Sequence, residues 1–363
     1  MESSTSLELA KHTLLVFGII LAVGTFSGLL ARLARVPDVV VFLLVGMLLG
    51  PGVFGLVDIK ADSAINQLIL IFGSSYILFD GGASIRLKVL KEVWITLVVI
   101  STVGVLITAA ITGVAAYYLL GIPFIVAFLL GTVIASTDPA TLVPVFKQIR
   151  IKDRVAQTVM SESAFNDAMG AIITFTVLGV AMGAGEFSAG DALADLVKQS
   201  VLGIVIGGVL GYLAAFMISH ERFGFLAEYA PVVTLMAVIG AYMSADGLHS
   251  SGFMAVFVFG IMLGNQESLG FKRIYHDEAI LEDFIMTTSL IMRMFIFILL
   301  GTQVDFALMN QYLLGGVAVV TIFMLVARPA TVFLCALPDR RAKWSFKEML
   351  FMCWTRETGV IPG

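Results

Sequence analysis

Two short segments rich in oxygen-bearing side chains interrupt otherwise apolar parts of the sequence. They read TDPA at 137–140 and SESAFND at 161–167. Residues four apart share one face of a helix, so Glu162 would lie beside Asn166 and Ser163 beside Asp167. Carboxylate, hydroxyl and amide oxygens, with no Cys or His among them, suit a hard cation such as an alkali ion rather than zinc or copper. The two segments therefore predict a site for an alkali cation.

The elements that carry these segments are predicted to be membrane-spanning helices. Of the 363 residues 59% are apolar and 13% charged, and the mean hydropathy is +1.00. Soluble domains carry about 25% charged residues, and disordered chains combine low hydrophobicity with high net charge, so both classes are excluded. A spanning helix needs about 20 apolar residues. This length predicts twelve spans, at roughly 12–33, 38–57, 63–82, 94–120, 122–146, 156–183, 196–219, 229–245, 250–264, 281–301, 311–337 and from 345 onward.

The distribution of basic residues predicts the orientation of these spans. Sixteen of the 22 Lys and Arg residues lie in or beside the odd-numbered loops, and two, Lys60 and Lys198, lie in the even-numbered loops. Because cytoplasmic loops are enriched in Lys and Arg, the odd-numbered loops are predicted to be cytoplasmic and the N-terminus outside the cell. The last span begins near Lys347 and the sequence stops at Gly363. We therefore expect the rest of this span and at least one further helix beyond it, and a regulatory domain after them is left open by the sequence.

Charged side chains inside the spans identify candidate functional residues, because each costs at least ~2.5–3.5 kcal/mol at the bilayer centre. Glu162 is expected to pair with Arg328 of the eleventh span, and Arg293 of the tenth span with an acid that the sequence does not identify. Asp167 has neutral Asn166 beside it, so a bound proton or a bound cation would have to offset its charge. The same oxygen atoms cannot hold both, and this competition is sufficient for an exchange mechanism.

The fifth and twelfth spans are predicted to be broken helices. Pro139 removes a backbone donor and clashes with the preceding turn, which frees carbonyl groups to face a cavity. Asp138 would then face an ion site, although capping of the second half-helix is an open alternative. The twelfth span is interrupted by TRETG at 355–359. The fourth span leaves the cytoplasm and the eleventh enters it, as the inverted repeats of transporters require.

Four motifs together resemble the cation/proton antiporters of the NhaP-type branch, a group similar to the Na⁺/H⁺ exchangers. They are LFDGG closing the third span, TDPA in the fifth, ESAFNDA in the sixth and ARP in the eleventh. The resemblance covers essentially the whole chain. It implies an all-α polytopic, NhaA/NhaP-like inverted-repeat fold of about 13 helices, 12 of them in this chain with the last one partial. Two broken helices would cross in a core of helices 4–6 against 11–13.

The resemblance also implies a domain organisation and an assembly. Residues 1–363 would form one transmembrane antiporter domain. Its helices at roughly 12–57 and 196–301 would form a dimerisation scaffold, and those at 63–183 and 311–363 the transport core. The resemblance further implies a homodimer in a prokaryotic plasma membrane.

The same resemblance implies roles for residues of the ion site. Asp167 would carry both the proton and the cation, and Asp138, Ser163 and the Thr137 backbone would contribute further alkali-cation ligands. Related electrogenic antiporters have two consecutive aspartates at the position where this chain has Asn166-Asp167. This difference implies electroneutral one-for-one exchange.

A supporting polar network is implied around that site. Arg328 would hold Glu162 and Asn166 in place. Arg356 and Glu357 depart from the Gly-Leu-Arg-Gly pattern common in this branch, so their roles stay open. Arg356 would balance the dipoles of the half-helices, with Glu357 as its partner.

The leading functional prediction is a secondary antiporter that exchanges Na⁺ or K⁺ for H⁺. The alternative is a cation-coupled symporter of an organic anion on the same fold, which would need a roomier polar cavity. An ion channel is less favoured because no filter such as TVGYG occurs. The sequence contains no nucleophile with a base partner, so no enzyme and no cofactor is predicted. The net charge of −4 predicts no nucleic-acid partner, which leaves the lipid bilayer, monovalent cations and protons.

Overall fold

The described part of the chain is helical throughout. The computed structural model describes residues 2–34, 36–136, 152–183, 189–219, 226–271 and 275–355, and these contain no β-strand. Eight of their helices are long and apolar enough to cross a membrane, which confirms the polytopic all-α class. The helices are α1 (Glu2–Ala34), α2 (Asp38–Leu49), α3 (Ala64–Ala83), α4 (Leu87–Leu120), α5 (Phe124–Ala135), α6 (Asp153–Ala181), α7 (Ala189–Ser219), α8 (Ala230–Gly247), α9 (Gly252–Gly264), α10 (Tyr275–Thr302), α11 (Phe306–Ala336) and α12 (Phe346–Trp354).

Two of the described helices are too short to cross a membrane. α2 ends at Leu49 instead of near residue 57, because Gly50 is extended (φ −69°, ψ 173°) and is followed by Pro51, which disfavours a helical conformation in the residue before it. α5 ends at Ala135, just before the break predicted at TDPA, and the residues after Ser136, where the rest of the predicted span lies, are outside the described part. Each helix has 12 residues, about 18 Å at 1.5 Å per residue. Neither crosses a hydrocarbon core of about 30 Å by itself.

The helices form two compact units. The first comprises Met1–Ile77 and Met286–Gln311, with α1, α2, most of α3 and the second part of α10. Within it α2 and α10 are in backbone contact, because a Cβ on Gly46 would overlap the carbonyl oxygen of Ile298. A small residue at such a crossing is typical of helix packing in membranes.

The second unit comprises Leu78–Ile285 and Tyr312–Gly363 and is built around α6. Every residue from 166 to 174 is buried. The middle of α6 packs on α4 and α5 through Ile173 and Val177 and on α9 through Met169 and Ile172. A helix buried on all sides can keep polar groups away from both lipid and bulk water. The assignment of helices to a scaffold and a moving core remains a prediction.

Glycines bring α7 and α9 together in the second unit. Gly203, Gly207 and Gly211 recur every four residues along one face of α7, and a Cβ on any of them would clash with α9. At Gly207 the obstacle is the carbonyl oxygen of Ala255, which is backbone and cannot rotate away. α9 is buried at ten of its thirteen residues. The α7–α9 contact is therefore a fixed part of this unit.

Adjacent glycines of α7 offer a matched pair of variants. We expect Gly207→Ala to lower the free energy of unfolding by about 1–3 kcal/mol, because the added methyl group forces the two backbones apart. Gly208 has nothing within 4 Å of its Cβ position, so Gly208→Ala should leave stability unchanged or raise it by up to about 1 kcal/mol through helix propensity. Thermal unfolding of the detergent-solubilised variants measures both. Equal melting temperatures for the two variants would contradict the close approach.

Candidate ion-binding site

Four of the predicted site residues occupy two turns in the middle of α6. Glu162, Ser163, Asn166 and Asp167 are exposed to only 1%, 2%, 2% and 4% of their surface. Two carboxyl groups, a hydroxyl and an amide thus lie inside the second unit, away from its surface. Buried polar groups are costly unless each has partners, and the partners come from α5 and α11.

Ser136 donates a hydrogen bond from its Oγ to Oδ1 of Asp167. It is the residue that follows the last turn of α5, and its extended conformation (φ −75°, ψ 151°) takes it off the helix. Its side chain is completely buried. A hydrogen bond to an ionised carboxylate is about twice as strong as one between neutral groups. The end of α5 therefore helps to hold Asp167 in a defined position.

Ser136 was not among the residues predicted from the sequence. It directly precedes the TDPA segment, and a hydroxyl at the end of a helix just before a predicted break could have identified it.

Glu162 and Arg328 form a buried ion pair, the pairing that the sequence predicts. Arg328 donates from Nη1 to Oε1 and from Nη2 to Oε2 of Glu162, the latter at 2.9 Å. Its Nε donates to the carbonyl oxygen of Met352 at 3.1 Å, and Nδ2 of Asn166 donates to Oε1 of Glu162 at 3.4 Å. The pair thus joins α6, α11 and the last turn of α12, and it orients the amide next to Asp167.

A π-helical segment places Arg328 for this contact. α11 runs as an α-helix to Ile322, widens over Phe323–Ala327 and resumes at Arg328, whose N–H bonds to the carbonyl of Phe323. Pro329 follows directly, and proline cannot donate to the carbonyl four residues before it and clashes with that carbonyl. One wider turn accommodates the proline, and π-helical turns often occur at functional sites.

The remaining predicted residues fall into two groups. Thr137, Asp138, Arg356 and Glu357 lie outside the described residues, so their predicted roles stay predictions. α5 and α12 do end immediately before them, at Ala135 and Trp354.

Arg293 lies on α10 in the other unit. Its Nε is buried without a hydrogen-bond partner. Within the ranges that the structure describes, no carboxylate pairs with Arg293, so the acid predicted for it is not found there.

This arrangement separates the two acids chemically. Both carboxylate oxygens of Glu162 are bound to the guanidinium group of Arg328. Asp167 accepts a hydroxyl hydrogen bond, and a hydroxyl can either donate to a carboxylate or accept from a protonated one. A cation ligand set of carboxylate and hydroxyl oxygens suits a hard ion. The site is therefore suited to hold a proton or an alkali cation at Asp167.

Comparison with known proteins gives a consistent result. Residues 18–361 match the family described as sodium/hydrogen exchanger, transmembrane. The chain is 34% identical to Na(+)/H(+) antiporter 1 of Methanocaldococcus jannaschii over 95% of its own length and 80% of the relative. It is 30% identical to the K(+)/H(+) antiporter NhaP of Alkalimonas amylolytica over 98% of its own length and 60% of that relative.

A solved structure shares the fold. The sodium proton antiporter MjNhaP1 of Methanocaldococcus jannaschii at pH 8 superimposes with a TM-score of 0.79 and 31% sequence identity, over 100% of this chain and 85% of that one. The family match covers nearly the whole sequence, including the α5, α6 and α11 residues that form the buried site. The chain therefore belongs to the sodium/hydrogen exchanger family of membrane antiporters.

Proposed function

We propose that this chain exchanges a monovalent cation for protons across a membrane, with the two ions competing for Asp167. The observation that carries the proposal is that the two acids of α6 have different partners. Arg328 forms an ion pair with Glu162, whereas the neutral hydroxyl of Ser136 donates a hydrogen bond to Asp167. A buried carboxylate that binds one small ion at a time can release that ion only by taking up another, because the empty charged site is costly inside the membrane.

The mechanism uses the hydroxyl of Ser136 in both loaded states. It donates to Asp167 when the carboxylate is ionised, and its lone pairs can bind the cation or accept from the protonated acid. Ser163, Asp138 and the Thr137 backbone would complete the oxygen ligands. Alternating access would then come from rocking the helices around this fixed site, as in other transporters with broken helices.

Removal of the Ser136 hydroxyl should weaken cation use without stopping exchange. In Ser136→Ala the ionised form of Asp167 loses one charge-assisted hydrogen bond, worth about 1.5–3 kcal/mol, although water can replace part of it. We expect the KM for the cation to rise about 3- to 10-fold. This corresponds to the loss of roughly half of that energy, because 1.36 kcal/mol is a factor of ten. Initial rates over a cation series measure it. Ser75→Ala removes a buried hydroxyl of α3 in the other unit and should leave the KM unchanged. An unchanged KM in Ser136→Ala would exclude the hydroxyl from the site.

One-for-one exchange is proposed because neutral Asn166 precedes Asp167, where related electrogenic antiporters have two consecutive aspartates. Exchange of one H⁺ for one Na⁺ moves no net charge, and each net charge would otherwise respond by about 2.3 kcal/mol per 100 mV. We expect the same rate of Na⁺-driven pH change at 0 and −100 mV, set with valinomycin and K⁺. A rate that changes severalfold between these potentials would contradict the electroneutral stoichiometry. Liposomes that contain the Asp167→Asn variant give the background rate of pH change.

The membrane context is proposed from the sequence. The odd-numbered loops would face the cytoplasm and the N-terminus the outside of a prokaryotic plasma membrane. The protein would act as a homodimer without a cofactor, and a regulatory domain beyond this sequence is compatible with the proposal.

Reconstitution tests the function directly. The full chain is placed in liposomes with a pH gradient, and Na⁺, K⁺ or Li⁺ is added while lumenal pH is followed. Dissipation of the pH gradient after addition of at least one of these cations, without any organic anion, supports antiport. A requirement for an organic anion would favour the symporter instead, and an ion flux that needs no counter-ion would indicate a channel.

A further inference from the structure

A cavity of about 360 Å³ opens at one end of the second unit, away from the ion site. It lies where the loop between α11 and α12 meets the beginnings of α4 and α6. Its lining residues are Lys91, Glu92, Val93, Arg154, Arg341 and Ala342. Three of these six are basic, and they come from segments far apart in the sequence.

Two acids beside this cavity are fully engaged by the protein itself. Glu348, in the first turn of α12, accepts hydrogen bonds from Lys152, Arg154 and Ser345. Both carboxylate oxygens of Glu348 are therefore occupied by donors of the protein itself.

Asp339 behaves in the same way. It accepts from the Thr96 backbone and hydroxyl through Oδ2, and from the backbone N–H groups of Arg341 and Ala342 through Oδ1. Burial raises the pKa of this carboxyl, but the hydrogen bond from the Thr96 hydroxyl and three backbone hydrogen bonds lower it overall. Asp339 thus fixes the loop that carries Arg341.

Arg154 is held rigidly at the cavity wall. It binds Glu348 through Nε and Nη2, the latter at 2.6 Å, and donates from Nη1 to the carbonyl of Ala342 at 3.0 Å. Its guanidinium lies 4.9 Å from the centre of the Trp344 ring. Within the described part of the chain these contacts use three of the five N–H groups of the arginine, and the other two are held in a fixed orientation in which they can bind a ligand.

Lys91 and Arg341 supply charge that the protein does not neutralise. Both side chains are exposed, and neither forms an ion pair within the described ranges. Glu92 is the one acid among the described residues of the wall. The described wall of the cavity therefore carries the positively charged side chains of Lys91 and Arg341 and the pre-oriented guanidinium of Arg154, against the one carboxylate of Glu92. Planar guanidinium groups match the oxygens of phosphate.

Aromatic residues place this cavity at the level of lipid headgroups. Trp94 is adjacent to Val93 of the wall, and Trp344 lies under Arg154. Tryptophan is enriched at the membrane–water interface. Leu337 and Phe346, at the two ends of the same loop, are each 66% exposed and provide apolar surface beside the cavity. Basic pockets between helices at this depth bind anionic lipid headgroups.

We propose that the cavity binds a phosphate group, with Arg154 and Arg341 donating to its oxygens and Lys91 adding charge, and that the phosphate belongs to an anionic phospholipid. A bound headgroup would bridge the beginnings of α4 and α6 and the α11–α12 loop. The proposal does not depend on the transport mechanism, because none of these residues belongs to the ion site.

Native mass spectrometry and melting temperature of the full chain in detergent test the proposal with three probes: phosphatidylglycerol, phosphatidylcholine and sodium phosphate. The phosphate probe is compared with sodium chloride at the same Na⁺ concentration, because Na⁺ itself is expected to bind the ion site. We expect preferential retention of phosphatidylglycerol over phosphatidylcholine. Lys91→Gln/Arg341→Gln should reduce that preference about 25-fold, since each basic side chain near a lipid surface contributes about fivefold. Glu92→Gln should increase it, because the opposing charge is removed.

Arg340→Gln is the matched control, since Arg340 is an exposed neighbour in the same loop but does not line the cavity. It should keep the full preference. Stabilisation by sodium phosphate alone, lost in the double variant, would support the phosphate site but assign it to a soluble ligand. An equal loss in Arg340→Gln, or no effect of any phosphate probe on the wild type, would overturn the proposal. Melting temperatures without probe show that each variant is folded.

Discussion

Asp167→Asn should reduce cation-driven proton movement to the level of protein-free liposomes while the protein stays folded. Asparagine has nearly the same volume and retains an oxygen that can accept from Ser136. It neither carries a negative charge nor takes up a proton at neutral pH. The variant therefore carries neither the proton nor the cation. The measurement is lumenal pH after addition of Na⁺, K⁺ or Li⁺ to liposomes with a pH gradient.

Cation binding gives an independent readout of the same variant. A ligand that binds only the folded state raises stability in proportion to the logarithm of its concentration. The wild type should therefore melt at higher temperature with increasing Na⁺ or K⁺, and Asp167→Asn should not. This separates loss of the ion site from loss of the fold.

Asp246→Asn is the matched control for this variant. Asp246 is an exposed residue near the end of α8, so the same chemical change there should leave exchange and cation stabilisation intact. Exchange by Asp167→Asn at a rate near that of the wild type would remove Asp167 from the mechanism.

The buried charges were the most predictable part of the site. Glu162 and Arg328 are 166 residues apart, yet their pairing follows from the cost of an isolated charge in a membrane. The helical spacing of four similarly places Glu162 beside Asn166 in α6. Both predictions depend on energies that are large compared with the free-energy differences between alternative side-chain packings, and this explains their success.

Local backbone geometry could not be predicted in the same way. Ser136 reaches Asp167 because one residue turns off the end of α5, and Arg328 is positioned by a π-helical segment. Each depends on a local choice between helical and non-helical hydrogen bonds that differs by little free energy. Hydropathy averages over about 20 residues and does not detect such choices. The early end of α2 at Gly50-Pro51 was missed for the same reason.

The basic cavity also escaped prediction. Lys91, Arg154 and Arg341 were assigned to one side of the membrane by the excess of basic residues in odd-numbered loops, which explains their charge but not their convergence. Their meeting depends on Glu348 and Asp339 fixing the start of α12 and the preceding loop. Such tertiary contacts leave no periodic signal in the sequence.

Separation of Glu162 from Arg328 should strongly destabilise the protein. Arg328→Met leaves the carboxylate of Glu162 buried without its counter-charge, and removal of one partner from a buried pair costs about 3–5 kcal/mol. It also leaves the carbonyl of Met352 without the guanidinium donor. Unfolding by SDS from mixed micelles, followed by circular dichroism, measures the loss.

The double variant Glu162→Gln/Arg328→Met should be more stable than the sum of the single variants predicts. Glutamine retains an oxygen that can accept from Asn166, and no unpaired charge remains in either chain segment. Replacement of a buried ion pair by neutral groups is often close to neutral in stability. We expect a coupling energy of at least about 2 kcal/mol, within the range found for residues in contact. Additive losses would show that the two charges do not stabilise each other.

Transport by the double variant then distinguishes support of the site from participation in exchange. Glu162 and Arg328 join α6, α11 and α12 and orient Asn166, but in this arrangement they exchange no ion themselves. If they only support the site, the folded double variant should still exchange cations for protons, with a changed KM because Asn166 is held less firmly. A folded double variant that binds Na⁺ but does not exchange it would instead show that the ion pair takes part in the conformational step, because binding and folding would both be intact.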